Sequence, residues 1–215
     1  MIRVLIVDDH AILRRGLKQI LSETDDLSVA GEAENSSEAL RLIRENAWDV
    51  VVLDINLPDR NGIDTLKLIR KERPKVAVLM LSMHPENQYA IRALKAGASG
   101  YLTKESAPQQ LVTAIRQVCQ GRKYVSPTLA EALVDALDGN ADRPPHETLS
   151  NREYQTLCLI ASGRTLTEIA VDLKLSVKTV SVYRARVLEK LRLKNNAELT
   201  HYGIKNQLVD LADGT

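Results

Sequence analysis

Short apolar runs alternate with amphipathic patterns over residues 1–120 of the 215-residue chain. Five apolar runs predict buried strands: Val4–Val7, Ser28–Glu32, Val50–Leu53, Val76–Leu81 and Gly100–Thr103. Five segments with apolar residues every three or four positions predict helices: Ala11–Ser22, Ser36–Glu45, Gly62–Glu72, Glu86–Lys95 and Ala107–Gln120. Because strands and helices alternate, we expect one parallel five-stranded sheet with helices on both faces.

A different pattern begins after a weakly patterned segment. Ser126 and Pro127 predict the start of a short helix, whereas Asp138–His146, with Gly, Asn and two Pro residues, predicts a linker. Four further helices are then predicted: Asn151–Ala161, Leu166–Lys174, Val177–Arg192 and Asn196–Lys205. Compact helices separated by a few residues favour an all-α helix-turn-helix module.

Polar side chains follow directly after four of the predicted strands. Asp8 and Asp9 follow the first strand, Asp54 the third, Ser82 the fourth and Lys104 the fifth. Ligands of an open parallel sheet bind outside the carboxyl ends of its strands, so these side chains are expected on one rim. Three close carboxylates repel unless a cation lies among them, and Mg²⁺ is the default hard cation. Taken singly, each acid fits a helix cap equally well; the whole set favours phosphoryl transfer to a carboxylate.

Four segments carry a resemblance to a known family. LIVDDH, VVVLDINLPDRNG, VLMLSMH and GYLTKES together resemble the receiver domain of two-component response regulators, from Met1 to about Gln120. The resemblance implies a flavodoxin-like (βα)5 fold. It also implies the following roles: phosphoacceptor Asp54, phosphate-contacting Lys104, switch residues Ser82 and Tyr101, and an Mg²⁺ site formed by Asp8, Asp9, Asp54 and the backbone carbonyl of Asn56.

The resemblance suggests how phosphorylation would act. A phosphoryl group on Asp54 would draw Ser82 towards it, Tyr101 would rotate inwards, and the surface around the fourth helix would change. Glu105 departs from the family pattern, since family members often carry Pro after the lysine that Lys104 matches. A cis peptide bond before Glu105 would be costly, so the resemblance does not determine the geometry of this loop.

Charge is divided unevenly although the net charge is only +1. Residues 148–206 contain ten basic and five acidic residues, whereas residues 1–147 contain 19 basic and 21 acidic residues. This basic excess indicates either an anionic partner or a solvated basic face, and composition alone favours neither. In the third predicted helix, basic and small residues flank an apolar stripe, a pattern that suits the DNA major groove.

The segments LSNREYQTLCLIASG, TEIAVDL and SVKTVSVYRARVLEKL resemble the LuxR-type helix-turn-helix, and the whole chain resembles the NarL/FixJ class of regulators. The resemblance implies that Leu166–Lys174 positions the recognition helix, Val177–Arg192. The expected contacts to double-stranded DNA are Lys178, Ser181, Val182, Tyr183, Arg184, Ala185, Arg186 and Arg192. Family members often have His at Tyr183 and Lys at Ser181 and Ala185, so the target sequence does not transfer.

These inferences predict a receiver domain over residues 1–121, a linker over 122–147 and a DNA-binding domain over 148–208. The favoured function is a transcriptional regulator phosphorylated on Asp54 by a sensor histidine kinase, with phosphorylation controlling dimerisation and promoter binding. Expected partners are DNA, the kinase, a second copy of the chain and, as a candidate, RNA polymerase. Residues Asn196–Leu208 fit either a dimerisation helix or simple core packing.

Two alternatives remain at this stage. A phosphohydrolase could use Asp54 as its nucleophile, although Asn56 offers no general acid two residues later. A DNA-binding dimer could also work without phosphorylation. Cys119 and Cys158 lack metal-ligand spacing, and no apolar run has the length of a membrane span, so we expect a cytoplasmic protein that is not membrane-bound. The favoured function as a transcriptional regulator implies that it is not an enzyme.

Overall fold

The computed structural model describes residues 1–83, 86–127, 129–131 and 144–209. The chain forms two compact units, Met1–Ala136 and Leu137–Thr215, each described here by itself. Most of the predicted linker Asp138–His146 lies outside the described residues. Within the described ranges, no helix has the length and apolar character needed to cross a membrane.

Over residues 1–119, the described part of the first unit alternates five strands with five helices, as the sequence predicts. The strands are β1 (Ile2–Val7), β2 (Leu27–Ala33), β3 (Val50–Asp54), β4 (Ala77–Ser82) and β5 (Gly100–Thr103). The helices are α1 (Ala11–Ser22), α2 (Ser36–Glu45), α3 (Gly62–Glu72), α4 (Glu86–Lys95) and α5 (Ala107–Cys119). All neighbouring strands pair in parallel, in the order β2-β1-β3-β4-β5, which confirms the predicted fold class.

The core explains why β3 is the most apolar strand. β3 lies between β1 and β4 and is buried along its whole length, so both of its faces need apolar side chains. Successive side chains alternate between the faces, and Val50 and Val52 pack in one core cluster with Leu17 of α1 and Leu111 of α5. Asp54, the last residue of β3, is carried to the carboxyl rim by this register.

Local sequence signals set most helix ends. Asn35 caps α2 by accepting a hydrogen bond from the backbone N–H of Glu38 at 2.8 Å. The Glu38 carboxylate accepts from the backbone N–H of Glu34, not from Asn35 as a capping box would require. Gly97 follows α4 with a positive φ of 103°, where a side chain would be strained. No peptide bond among the described residues is cis, so the bond between Lys104 and Glu105 is trans.

The second unit is helical throughout its described part. A 3₁₀ turn, Pro145–Thr148, precedes α6 (Asn151–Ala161), α7 (Leu166–Asp172), α8 (Val177–Leu191) and α9 (Asn196–Lys205). Capping boxes at Ser150 and Thr165 begin α6 and α7, and Ser176 caps α8. The core is formed by Leu157, Ile160, Ile169, Ala170, Leu173, Val180, Val187 and Leu191.

Two of these helices end earlier than the sequence predicts. α7 ends at Asp172, since Lys174 has a positive φ of 52°, and α8 ends at Leu191, since Arg192 has a positive φ of 57°. Both residues adopt the left-handed conformation that glycine usually adopts after a helix. Because neither residue is glycine, the sequence did not indicate these helix ends. The predicted ends were therefore one to two residues too late.

Gly62, the first residue of α3, lies very close to the backbone at the carboxyl end of β3. A Cβ atom at Gly62 would lie 2.0 Å from the carbonyl oxygen of Asp54 and 2.8 Å from Cα of Ile55. We expect Gly62→Ala to lower the free energy of unfolding by about 2 kcal/mol or more, because backbone atoms would have to move. Urea unfolding followed by the fluorescence of Trp48, the single tryptophan, reports this unit.

The matched control is Gly16→Ala within α1, where an added Cβ meets no atom within 4 Å. This change should stabilise the unit by up to about 1 kcal/mol, because alanine has the higher helix propensity. Equal stability of the two variants would contradict the close approach at Gly62.

Candidate functional site

Four strand ends bring the predicted polar residues of the first unit together. Asp8 follows β1, Asp54 ends β3, Ser82 ends β4 and Lys104 follows β5. Because these strands are parallel neighbours, their carboxyl ends share one rim. All four residues are buried, with Asp8 and Ser82 0% exposed, Asp54 1% and Lys104 9%. The site is therefore enclosed rather than a set of solvated loop residues.

Lys104 provides the positive charge of this acidic pocket. Its Nζ lies 2.7 Å from Oδ2 of Asp8 and 2.9 Å from Oδ2 of Asp54. Burial alone would lower the pKa of Lys104, but the two carboxylates outweigh burial and raise this pKa above its usual value. Lys104 therefore stays charged and joins the ends of β1 and β3.

The environment of Asp54 disfavours its ionisation. Burial raises the pKa of Asp54, Lys104 lowers it and the Asp8 carboxylate raises it, with a net pKa of about 6. Its Oδ1 atom is buried and has no hydrogen-bond partner among the described residues. A buried carboxylate oxygen without a partner is costly, so this atom is suited to an additional cation or covalent group.

His10 joins the acidic pocket and was not predicted from the sequence. Its Nδ1 lies 3.0 Å from Oδ1 of Asp8 and 2.8 Å from Oδ1 of Asp9. Donor atoms of Asp8, Asp9, His10 and Asp54 all lie within 4.8 Å of one another. Three carboxylates this close together fit a hard divalent cation such as Mg²⁺. The signal in the sequence was only that His10 directly follows two acids.

The loop between β3 and α3 is held by polar groups at both ends. Asn56 and Asn61 form an isolated β-bridge, and the Asn61 side chain accepts from the backbone N–H of Ile63 at 2.9 Å. Asp59, also missed by the sequence analysis, accepts from the backbone N–H groups of Ser36 and Ser37, each at 2.9 Å. Burial alone would raise the pKa of Asp59, but these hydrogen bonds lower it.

The two predicted switch residues lie inside the unit. The carbonyl oxygen of Ser82 accepts a hydrogen bond from the backbone N–H of Lys104 at 2.7 Å, so the backbone of Ser82 lies next to that of Lys104, and Ser82 is 0% exposed. Tyr101 on β5 is 0% exposed. The Tyr101 side chain is therefore already buried in the protein without a phosphoryl group, whereas the sequence led us to expect that it rotates inwards on phosphorylation.

In the second unit, α8 presents the residues predicted to contact DNA. Six are exposed: Lys178, Ser181, Val182, Ala185, Arg186 and Arg192. Tyr183 and Arg184 are half-buried, and Nε of Arg184 donates to Oδ1 of Asn196 at the start of α9. The opposite side of α8 contributes Val180 and Val187 to the core. This helix thus has a buried apolar seam and an exposed basic flank.

An ion pair with a buried carboxylate joins α8 to α6. Nζ of Lys190 donates to Oε2 of Glu153 in α6 at 2.6 Å, and Glu153 is 3% exposed. Burial alone would raise the pKa of Glu153, but the bond from Lys190 and the capping bonds at Ser150 lower it. Lys190 is itself exposed, but its bond to Glu153 means that it supports the packing of α8 on α6.

Comparison with known families covers both units. Residues 4–116 match the response regulator receiver domain, and residues 147–203 match the bacterial regulatory proteins of the luxR family. The response regulator UvrY of Escherichia coli is 37% identical over 209 residues, which cover 97% of this chain and 96% of UvrY.

Solved structures of RcsB are also similar. RcsB from Salmonella enterica serovar Typhimurium, bound to promoter rprA in the presence of the phosphomimetic BeF3⁻, matches with a TM-score of 0.64 and 28% identity, covering 94% of this chain and 97% of that chain. A structure of two RcsB dimers bound to two parallel DNAs matches with a TM-score of 0.58 and 27% identity, covering 94% and 96%.

The pKa of Asp54 predicts how stability depends on pH without added metal. The folded protein holds a proton on Asp54 up to about pH 6, whereas the ordinary pKa is 3.8, so the folded state loses stability as pH rises from 4 to 6. Asp54→Asn removes this loss. We expect its stability advantage over the native protein to grow across that range to on the order of 2–3 kcal/mol at pH 7.

Urea unfolding at pH 4, 5, 6 and 7 in the presence of a chelator measures this difference. Asp64→Asn on the surface of α3 is the matched control, because Asp64 is half-exposed and lies outside the pocket. Parallel stability curves for Asp54→Asn and the native protein would contradict the raised pKa.

Proposed function

The chain belongs to the response regulators that join a receiver domain to a LuxR-type DNA-binding domain, and on that premise we propose that phosphorylation of Asp54 by a sensor histidine kinase controls its binding to promoter DNA. One observation carries the proposal. Asp54 ends the central strand with a buried, unbonded Oδ1, beside Lys104. A carboxylate in this environment is suited to accept a phosphoryl group.

The residues of the pocket have separate parts in the reaction. An Asp54 oxygen attacks the phosphorus of the kinase phosphohistidine; the P–N bond breaks, and its electron pair leaves with the imidazole nitrogen. Asp8, Asp9, Asp54 and the backbone carbonyl of Asn56 are the groups that would hold Mg²⁺, whose charge would neutralise the phosphoryl oxygens. The ammonium of Lys104 would move from its two carboxylates to the new phosphoryl oxygens.

Ser82 and Tyr101 are the residues that would couple phosphorylation of Asp54 to a change at the surface of the unit. The hydroxyl of Ser82 would donate to the phosphoryl group, and the end of β4 would shift with it. Tyr101 on the neighbouring strand β5 is already buried, so the change would be passed on by the end of β4 at Ser82 rather than by inward rotation of the ring. Such a change would favour a homodimer.

The DNA-binding proposal rests on the exposed flank of α8. α7 would position α8 in the major groove, with Ser181, Val182, Ala185 and Arg186 nearest the bases. Lys178, Tyr183, Arg184 and Arg192 would contact phosphates. RcsB, which resembles this chain over 94% of its length, has been captured on promoter DNA with a phosphomimetic and as DNA-bound dimers. We propose the same arrangement here: a homodimer on paired half-sites, with α9 as the dimerisation helix, acting in the cytoplasm with RNA polymerase as a further partner.

Phosphorylation of Asp54 can be tested with a small acyl phosphate in the presence of Mg²⁺. We expect the native protein to incorporate phosphate and Asp54→Ala to incorporate essentially none, because no equivalent carboxylate ends the central strand. Intact-protein mass spectrometry measures the added mass. Asp64→Asn should label like the native protein, and undiminished labelling of Asp54→Ala would sink the proposal. Sustained turnover of a phosphate ester would instead favour a phosphohydrolase.

DNA binding can be tested by substitutions on α8. We expect Arg184→Ala to weaken binding to all sequences and to reduce the slope of log affinity against log salt by about 0.9, the value for one lost phosphate contact. Changes at Ser181 or Arg186 should alter sequence preference. Fluorescence anisotropy over a salt series measures both effects. Arg15→Ala, which removes an exposed charge from α1, should match the native protein; the DNA surface lies elsewhere if Arg184→Ala also matches it.

A further inference from the structure

Arg14 is a charged residue buried beside the acidic pocket. It lies in the first turns of α1 and is 7% exposed, although arginine is seldom buried without partners. Its guanidinium has three partners. Nη1 donates to the carbonyl oxygen of Asp8 at 2.7 Å, Nη2 to Oε1 of Glu34 at 2.5 Å, and Nε to Oε2 of Glu32 at 3.3 Å.

These contacts fix the peptide that joins the two adjacent acids. The N–H of Asp8 donates to the carbonyl oxygen of Ala33 at 3.1 Å, and its carbonyl oxygen accepts from Arg14. The planar guanidinium fork of Arg14 therefore sets the orientation of the peptide group between Asp8 and Asp9. Glu32 and Glu34 in turn fix the plane of this guanidinium, since they bind its other two nitrogens.

We propose that Arg14 is a positioning residue for the divalent cation of the acidic pocket: it holds the Asp8–Asp9 peptide so that both carboxylates face Asp54. The inference rests on the proposed function only in taking this pocket as the Mg²⁺ site. Groups that orient metal ligands without touching the metal commonly change metal affinity by 10–100-fold when they are replaced. Arg14 has the burial and the direct contact with a ligand residue that such a role requires.

The direction in which Mg²⁺ affinity changes when Arg14 is removed distinguishes a positioning role from a purely electrostatic one. Arg14 is a cation near three carboxylates, so its field opposes binding of a second cation. If charge alone mattered, removing Arg14 would strengthen Mg²⁺ binding. If the guanidinium positions the Asp8–Asp9 peptide, removing it would weaken Mg²⁺ binding despite the gain in negative potential.

Calorimetric titration of the full-length protein with MgCl₂ measures this affinity directly. We expect Arg14→Gln to bind Mg²⁺ 10–100-fold more weakly than the native protein. Arg14→Lys should fall between them, because an ammonium reaches the Asp8 carbonyl or a glutamate but does not hold the three-way fork. Lys18→Gln is the matched control: Lys18 is also on α1 and pairs with Glu32 at 3.0 Å, so it removes a charge while leaving the Asp8 contact intact. It should bind Mg²⁺ as tightly as the native protein or slightly more tightly.

Mg²⁺ binding by Arg14→Gln that equals or exceeds native affinity would overturn the inference. Should Arg14→Gln fail to fold, as judged by thermal unfolding with a chelator present, the same criterion applies to Arg14→Lys. Native protein that binds no Mg²⁺ would instead refute the metal site of the proposed function, so the two failures are distinguishable.

Discussion

The enclosed contact of Asp54 and Asp8 with Lys104 is the interaction on which the rest of the first unit depends. Two carboxylates and one ammonium lie in a buried space, with both N–O distances below 3 Å. One positive charge does not neutralise these two acids and Asp9 beside them, and the pKa of Asp54 rises to about 6 as a result of burial and repulsion. The pocket is thus deficient in positive charge by construction, and a divalent cation would remove that deficit. A phosphoryl group on Asp54 would then add negative charge to the pocket, and phosphorylation would therefore change the interactions of the surrounding residues.

Such a pocket persists only if the backbone around it is rigid, and three contacts provide that rigidity. Gly62 allows α3 to begin directly against the carbonyl of Asp54. Asp59 fixes the following loop to the first turn of α2 through Ser36 and Ser37. Arg14 fixes the opposite loop through the carbonyl of Asp8. The segment from Glu32 to Ser37 receives two of these contacts, so the end of β2 and the start of α2 brace both acidic loops at once.

The sequence predicted the strands, most helix bounds and the convergence of Asp8, Asp54 and Lys104, because strand order in a parallel sheet fixes which residues reach the rim. It did not predict His10, Asp59 or Arg14. Asp59 acts on Ser36, 23 residues earlier, and Arg14 on Glu34, 20 residues later, and neither spacing follows a helix or strand period. The helix ends before Lys174 and Arg192 were missed because non-glycine residues there adopt positive φ. Periodicity reports which face is buried, whereas these roles depend on where a long polar side chain finds a partner.

The second unit meets a different electrostatic requirement, since its basic residues must be divided between structure and binding. Lys190 pairs with buried Glu153 and so holds α8 against α6, whereas Arg184, one of the proposed phosphate contacts, also donates from Nε to Asn196 of α9. Lys178 and Arg186 on the same helix, and Arg192 directly after it, are exposed. A basic excess counted from the sequence merges these two groups, and only their partners separate them. The positive charge available to DNA is therefore smaller than the composition suggests, but it is carried by a helix whose orientation the internal pairs have already fixed. Because the orientation of α8 is set within the unit, the proposed DNA contacts would carry no ordering cost for the helix itself.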